Sequence, residues 1–177
     1  VVFVFDDGSN SILYAADIMK KYGFKGNIAV ITSKVENRNG GYLSLRELKQ
    51  LQDIDGWNIA SHSFYHLDAL SSYYQTGNMN AFEEDVVESI KFLVNNNLNS
   101  APNWYIYPHG STNTEIMQII GKYYKFGRTI QNEPEVFPFG EPLRVKTLSV
   151  QDITTPEEIS KAVSDAKKYN LTLFLTF

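Results

Sequence analysis

Short apolar runs alternate with longer segments of helical periodicity along the whole chain. Seven of these runs have the length and the β-branched or aromatic content of buried strands; they lie at 1–5, 27–32, 57–61, 104–107, 126–130, 143–150 and 171–177. Parallel strands are joined by crossover connections, usually helices, so the alternation predicts a mostly parallel sheet. About seven strand–helix units in 177 residues favour a barrel over an open sheet.

The segments between the strands carry helix signals. An apolar face recurs over 11–22, and another begins at Asn80, with the spacing of amphipathic helices. Ser44–Glu47 and Thr112–Glu115 have the sequence of capping boxes, which place a helix start at each. Thr155–Glu158 combines an N-cap residue, an N1 proline and an acidic N3 residue, which also predicts a helix start.

Composition limits the class of protein. The chain is 43% hydrophobic and 20% charged, as in soluble globular proteins. Its net charge of -4 and the lack of a basic run argue against a nucleic-acid partner. No apolar run is long enough to span a bilayer, and zero cysteines exclude disulfides and thiolate metal sites. Because 1–5 and 171–177 both read as strands, we expect residues 1–177 to form one domain excerpted from a longer chain, truncated at both ends.

Two adjacent carboxylates follow the first predicted strand. Asp6 and Asp7 come directly after Val1–Phe5, and in parallel barrels the chemistry lies where strands end and the next loops begin. One interpretation is an N-cap and turn before the helix at 11–22. Ser9 and Asn10 are already adequate caps, so capping does not require both aspartates.

Two of the three histidines follow the third predicted strand. His62 and His66 are four residues apart, which on a helical turn would place both on one face, within reach of one metal ion. A pair of surface or capping histidines is the alternative. Two imidazoles and a carboxylate form the ligand set of hydrolytic zinc sites and of non-haem iron oxygenases. A second aspartate beside the ligands fits a base for hydrolysis and has no evident use in an oxygenase.

The third histidine follows the fourth predicted strand. His109 would therefore lie at the same barrel mouth, although Pro108 and Gly110 also allow a plain turn histidine. Trp104, Tyr105 and Tyr107 offer faces for sugar stacking, but strand alternation buries at least every second one of them.

Together these segments resemble the polysaccharide deacetylases, the NodB homology domain of carbohydrate esterase family four. Val4–Gly8 (VFDDG) is similar to the first family motif, (T/S)FDDG, and Ser61–His66 (SHSFYH) to the second, H(S/T)xxH. Tyr105–Gly110 (YIYPHG) is similar to the Y-P-x-G branch of the third motif. Tyr22–Asn27 and Trp57–His62 also resemble segments that lie between the motifs in members of this family, so the likeness covers nearly the whole chain.

The resemblance implies a deformed (β/α)7 barrel and a metal-dependent hydrolase that removes acetyl groups from N- or O-acetylated poly- or oligosaccharides. By match to the motifs, Asp7, His62 and His66 would bind Zn²⁺ or another divalent ion such as Co²⁺, Ni²⁺ or Fe²⁺. Asp6 would be the general base, and the backbone N–H of His109 would help to hold the oxyanion. An extracytoplasmic location is expected for such an enzyme.

This chain departs from the family pattern in two places. Ile106 stands where many relatives have an arginine that pairs with the base, and we expect Arg144 to replace it, a surface salt bridge being the alternative. Tyr107, Pro108 and Arg144 are thus expected to line the substrate site. The family's last motif, a leucine and an acid histidine, is not reached. A side-chain acid role for His109, a non-catalytic carbohydrate-binding relative, and an amidase acting on a non-sugar amide or imide remain alternatives.

Overall fold

The barrel predicted from the alternating pattern is present in a computed structural model, which describes residues 1–71, 79–98 and 103–177. Its strands all pair in parallel and in chain order, and β1 pairs with β7 to close the barrel. They are β1 (Val2–Phe5), β2 (Asn27–Val30), β3 (Asn58–Ser61), β4 (Trp104–Ile106), β5 (Phe126–Asn132), β6 (Val145–Ser149) and β7 (Phe174–Thr176). The fold is therefore a deformed (β/α)7 barrel, as expected.

Helices surround the barrel. They are α1 (Ile12–Lys21), α2 (Thr32–Glu36), α3 (Leu45–Asp53), α4 (Asn80–Asn95), α5 (Thr114–Ile120) and α6 (Pro156–Lys168), with short 3₁₀ turns at Pro108–Gly110 and Pro142–Arg144. The short α2 was not predicted, because the apolar run at 27–32 reads as one strand although β2 ends at Val30. None of the helices in the described ranges is long and apolar enough to cross a membrane.

Two of the three predicted helix starts are confirmed in detail. Ser44 and Thr155 each accept a hydrogen bond from the N3 backbone N–H, and the N3 glutamate side chain accepts one from the cap N–H. The third was wrong by one residue: the side chain of Asn113, not Thr112, accepts the N–H of Ile116. Asparagine is as good an N-cap as threonine, so neighbouring candidates could not be separated by residue type.

Strand alternation divides the core into an interior and an outer layer. Val4 of β1 packs inside the barrel with Val145 and Phe174. The next residue, Phe5, packs outward under the helices, with its ring 5.5 Å from that of Trp57. Small residues fill part of the narrow interior, where Ala29 and Ala60 pack with Ile106. This period of two directs the following residue, Asp6, back toward the interior.

Candidate metal centre and active site

A sharp turn at the end of β1 separates the two aspartates. Asp7 and Gly8 have φ values of 67° and 76°, in the left-handed region that aspartate tolerates better than most residues and that glycine adopts freely. Gly8 also packs closely against Val30, because a Cβ on Gly8 would lie only 3.2 Å from Val30 Cγ1. Because of this turn, the Asp6 carboxylate points to Arg128 and the Asp7 carboxylate to the histidines.

The segment that carries His62 and His66 is a loop, so the expected helical turn was wrong. Ser63 and His66 have φ values of 66° and 64°, which an α-helix excludes. The N–H of His66 donates to Ser63 Oγ at 2.7 Å. The N–H groups of Phe64 and Tyr65 donate to the two carboxylate oxygens of Asp85, at 3.0 and 2.6 Å. The histidines converge through this loop instead of through helical spacing.

The three predicted metal ligands come together at the barrel mouth. The Nε2 atoms of His62 and His66 are 3.1 Å apart, and Asp7 Oδ1 lies 3.3 and 3.4 Å from them. Ligand atoms about 2.0–2.1 Å from a tetrahedral zinc ion lie roughly 3.3–3.4 Å from one another. In the described part of the chain, these residues form the group of three that could hold a metal ion.

The protonation of the histidines suits a cation. His62 Nδ1 lies 2.9 Å from the carbonyl oxygen of Ile106, which can only accept, so Nδ1–H donates and the Nε2 lone pair faces Asp7. Burial and the neighbouring His62 lower the pKa of His66 to about 4, so it is neutral at pH 7. Three potential ligand atoms, one each from Asp7, His62 and His66, thus face one point, and a divalent cation fits them.

The partner of Asp6 is Arg128, so the expectation for Arg144 was wrong. One terminal nitrogen of Arg128 donates to both oxygens of Asp6, at 2.5 and 2.6 Å. Arg128 lies in the middle of β5 and is only 1% exposed. Arg144 follows the loop before β6, is about half exposed and lies 3.9 Å from Glu141. Strand β5, not the segment before β6, supplies the guanidinium that pairs with Asp6.

Tyr107 and Pro108 do not line a substrate surface with their side chains, which corrects a second expectation. Tyr107 is 1% exposed and its hydroxyl donates to the carbonyl oxygen of Leu143; Pro108 is also buried. His109 is exposed at the mouth, with its ring centroid 4.6 Å from that of His66. Its φ of 57° requires support from its neighbours, and Gly110 beside it has no room for a Cβ against Ile130.

Sequence reasoning missed two buried charged residues, Arg128 and Asp85, and both left a signal. Arg128 is the one charge in the run Phe126–Ile130, and a charge inside a barrel strand requires a partner. Asp85 lies three residues after Phe82 and one before Val86, on the apolar face of α4, where a carboxylate is out of place unless the fold gives it donors.

These features define a class: a parallel seven-stranded barrel with a histidine–carboxylate centre at the carboxyl ends of its strands. The family model described as polysaccharide deacetylase matches residues 1–124, well over half of the chain. The chain belongs to this polysaccharide deacetylase family. No curated protein sequence matches it.

Solved structures of several deacetylases share the fold. The Streptococcus pyogenes deacetylase PplD in complex with acetate superimposes with a TM-score of 0.80 and 24% identity, over 92% of this chain and 69% of that one. The putative polysaccharide deacetylase BA0330 from Bacillus anthracis gives 0.78 and 21%, over 92% and 50%. A mutant of BA3943, a pseudoenzyme of carbohydrate esterase family four with restored activity, gives 0.63 and 16%, over 99% and 65%.

The chain thus spans about half the length of the Bacillus anthracis structure. At identities below 25%, these likenesses concern the fold.

Proposed function

We propose that this domain is a metal-dependent hydrolase that removes acetyl groups from an acetylated poly- or oligosaccharide. The observation that carries the proposal is the convergence of Asp7, His62 and His66 within 3.1–3.4 Å of one another, with a second carboxylate, Asp6, held beside them by Arg128. Membership of the polysaccharide deacetylase family supports the substrate class. An extracytoplasmic location fits such a substrate and stays a prediction.

Asp7, His62 and His66 would hold the cation. A bound Zn²⁺, Co²⁺, Ni²⁺ or Fe²⁺ supplies Lewis acidity, which polarises a carbonyl and acidifies water. Asp6 accepts the proton of the attacking water as general base, and Arg128 fixes the direction of its carboxylate. The backbone N–H of His109 donates to the oxygen that becomes negative when the acetyl carbon is attacked.

A non-catalytic carbohydrate-binding role is the second candidate, because a pseudoenzyme exists among the structural relatives. The pair formed by Asp6 and the buried Arg128 favours catalysis. Sugar binding alone gives no reason to place a second carboxylate beside the ligands and to bury an arginine that orients it. The same geometry would serve an amidase acting on a non-sugar amide or imide. Assays on acetylated sugars and on simple amides distinguish this amidase from a sugar deacetylase.

The test compares Asp6→Asn with His62→Ala. Asp6→Asn should bind Zn²⁺ like the wild type but lose about 10²–10⁴-fold in kcat on a chromogenic acetyl ester, because a positioned base contributes that much. His62→Ala should lose both the metal and activity. Asp17→Asn on the exposed face of α1 is the matched control and should behave like the wild type.

Acetate release from acetylated chitin, peptidoglycan and xylan oligomers then identifies the substrate class. Near-normal turnover by Asp6→Asn would refute the base assignment. A wild-type protein that binds zinc but releases no acetate from esters, sugars or simple amides would favour the non-catalytic role.

A further inference from the structure

A buried carboxylate on α4 contacts the loop that carries both histidines. Asp85 is 3% exposed, and its two oxygens accept the backbone N–H groups of Phe64 and Tyr65, at 3.0 and 2.6 Å. The Ser63 side chain interacts with the same carboxylate, while Ser63 Oγ accepts the N–H of His66. A connected set of hydrogen bonds therefore runs from α4 to the backbone of His66.

This loop requires external support. Ser63 and His66 both have left-handed backbones, at φ values of 66° and 64°, and such conformations persist in non-glycine residues only where the surroundings impose them. The loop N–H groups of Phe64 and Tyr65 find their acceptors on α4 instead of within the loop itself. Without Asp85, these two donors would be left unpaired next to a metal ligand, which disfavours the observed loop.

The helix that carries Asp85 is itself fixed against the barrel. Ser89, one turn further along α4, is fully buried, and its hydroxyl lies 2.7 Å from that of Ser61 at the end of β3. Phe82 and Val86 anchor the same helix in the outer core layer. Asp85 is therefore presented by a rigid element, which suits a group that has to hold a loop in one place.

From this geometry we infer that Asp85 is a positioning residue that holds the 62–66 loop in the conformation in which His62 and His66 share one ligand point, and so sets the affinity for the cation. The inference rests on the metal centre of the proposed function. A carboxylate is required because both of its oxygens accept. An asparagine would offer one acceptor and turn an NH₂ group toward the other N–H.

The test compares Asp85→Asn with Glu84→Gln, the neighbouring exposed carboxylate on the same helix. The dissociation constant for Zn²⁺ is measured by competition with a chromogenic chelator, and the Tm of the metal-free protein is measured in parallel. Asp85→Asn should weaken zinc binding about 10–100-fold, as loss of a group that orients a metal ligand typically does. Glu84→Gln should bind like the wild type.

If Asp85→Asn binds zinc within twofold of the wild type, the inference is overturned, whether or not the Tm of the metal-free protein falls; a fall in Tm alone would show that its role is merely structural. If Asp85→Asn does not fold, Ser63→Ala tests the same set of hydrogen bonds, because it breaks the connection from Asp85 through Ser63 Oγ to the His66 N–H. Wild-type zinc affinity of Ser63→Ala overturns the inference and weakened affinity supports it. A wild-type protein that binds no zinc would instead refute the metal centre itself.

Discussion

The two ends of the barrel are built from different kinds of residue. At the carboxyl end of the strands, short loops bring Asp6, Asp7 and two histidines together. At the amino end, strand residues and the loop between β5 and β6 line an open cavity of about 550 Å³ with aromatic walls. Its rings include Trp104, stacked on Phe126 at 4.8 Å between centroids.

Loops thus carry the polar groups of the candidate site, and strands carry most of the packing at the opposite end. The polar groups of one end sit on loops, where backbone turns such as that at Asp7 can aim a side chain. At the other end, Trp104, Phe126 and Phe174 sit on strands, where the period of two directs them into the barrel. Phe137 and Phe139 reach the same cavity from the loop between β5 and β6. Arg128 is connected to both ends, because its side chain lines the aromatic cavity and its terminal nitrogen reaches Asp6. Arg128 therefore connects the candidate active site with the interior of the barrel.

Replacing Arg128 should give the largest effect, because it disturbs both ends. Arg128→Met leaves Asp6 without its partner. Breaking a fully buried ion pair costs about 3–5 kcal/mol of unfolding free energy, and because Asp6 is partly exposed we expect the lower end, about 3 kcal/mol. A displaced base should also lower kcat about 100-fold. The zinc dissociation constant should stay within about twofold of the wild type, because Arg128 pairs with the proposed base and not with a proposed metal ligand. Large losses of affinity are expected where a group that orients a metal ligand is removed. Urea unfolding, chelator competition and kinetics on a chromogenic acetyl ester measure these quantities.

The matched control is Arg144→Met, which removes a half-exposed arginine near Glu141. Its activity should equal that of the wild type. An equal loss of kcat in both variants would show that the pairing of Asp6 with Arg128 has no part in catalysis.

Truncating the aromatic end should reduce stability without affecting the candidate metal centre. Trp104→Ala removes a ring that contacts Phe126, Phe139 and Phe174, which costs about 3 kcal/mol and lowers the Tm by roughly 6–12 °C in a chain of this size. Zinc affinity and kcat at room temperature should not change. Val136→Ala, at an exposed position, serves as control, and a large fall in zinc affinity of Trp104→Ala would refute the separation of the two ends.

The smallest effect is expected from a polar group at the mouth that has only a structural task. Ser44 and Glu47 cap α3, close to the first loop, since the residue before the cap, Leu43, donates its N–H to the carbonyl oxygen of Gly8. Hydrogen bonds from the Ser44 side chain and backbone lower the pKa of Glu47 below its usual 4.5. Glu47→Ala should lower the free energy of unfolding by about 1 kcal/mol at pH 7 and leave kcat unchanged.

The pH dependence of this loss has a definite sign. Because the folded pKa of Glu47 is below the unfolded one, the charge contributes stability above about pH 4.5, and this is lost as the pH falls through the folded pKa. Glu47→Gln keeps an acceptor without the charge, so its stability relative to the wild type should rise on acidification. Urea unfolding from neutral to acidic pH checks this, and a constant difference between the two proteins would contradict it.

The amino-acid sequence by itself determined the order of the strands and most of the helices, and it singled out Asp6, Asp7, His62 and His66. These depend on local patterns: the period of two in a strand, capping residues, and polar groups placed directly after apolar runs. The capping boxes of α3 and α6 appeared as predicted for the same reason, because all of their atoms lie within four residues of one another.

Only the tertiary structure decided which groups support the candidate site. Asp6 and Arg128 are 122 residues apart in the chain, and Asp85 reaches its loop across 20 residues. The choice of Arg128 over Arg144, and the burial of Tyr107, followed from which strands are neighbours and which face each residue takes. A sequence pattern identifies the residues that can carry a charge, but the closure of the barrel selects the pairs that meet, because contacts between distant segments depend on the whole packing arrangement.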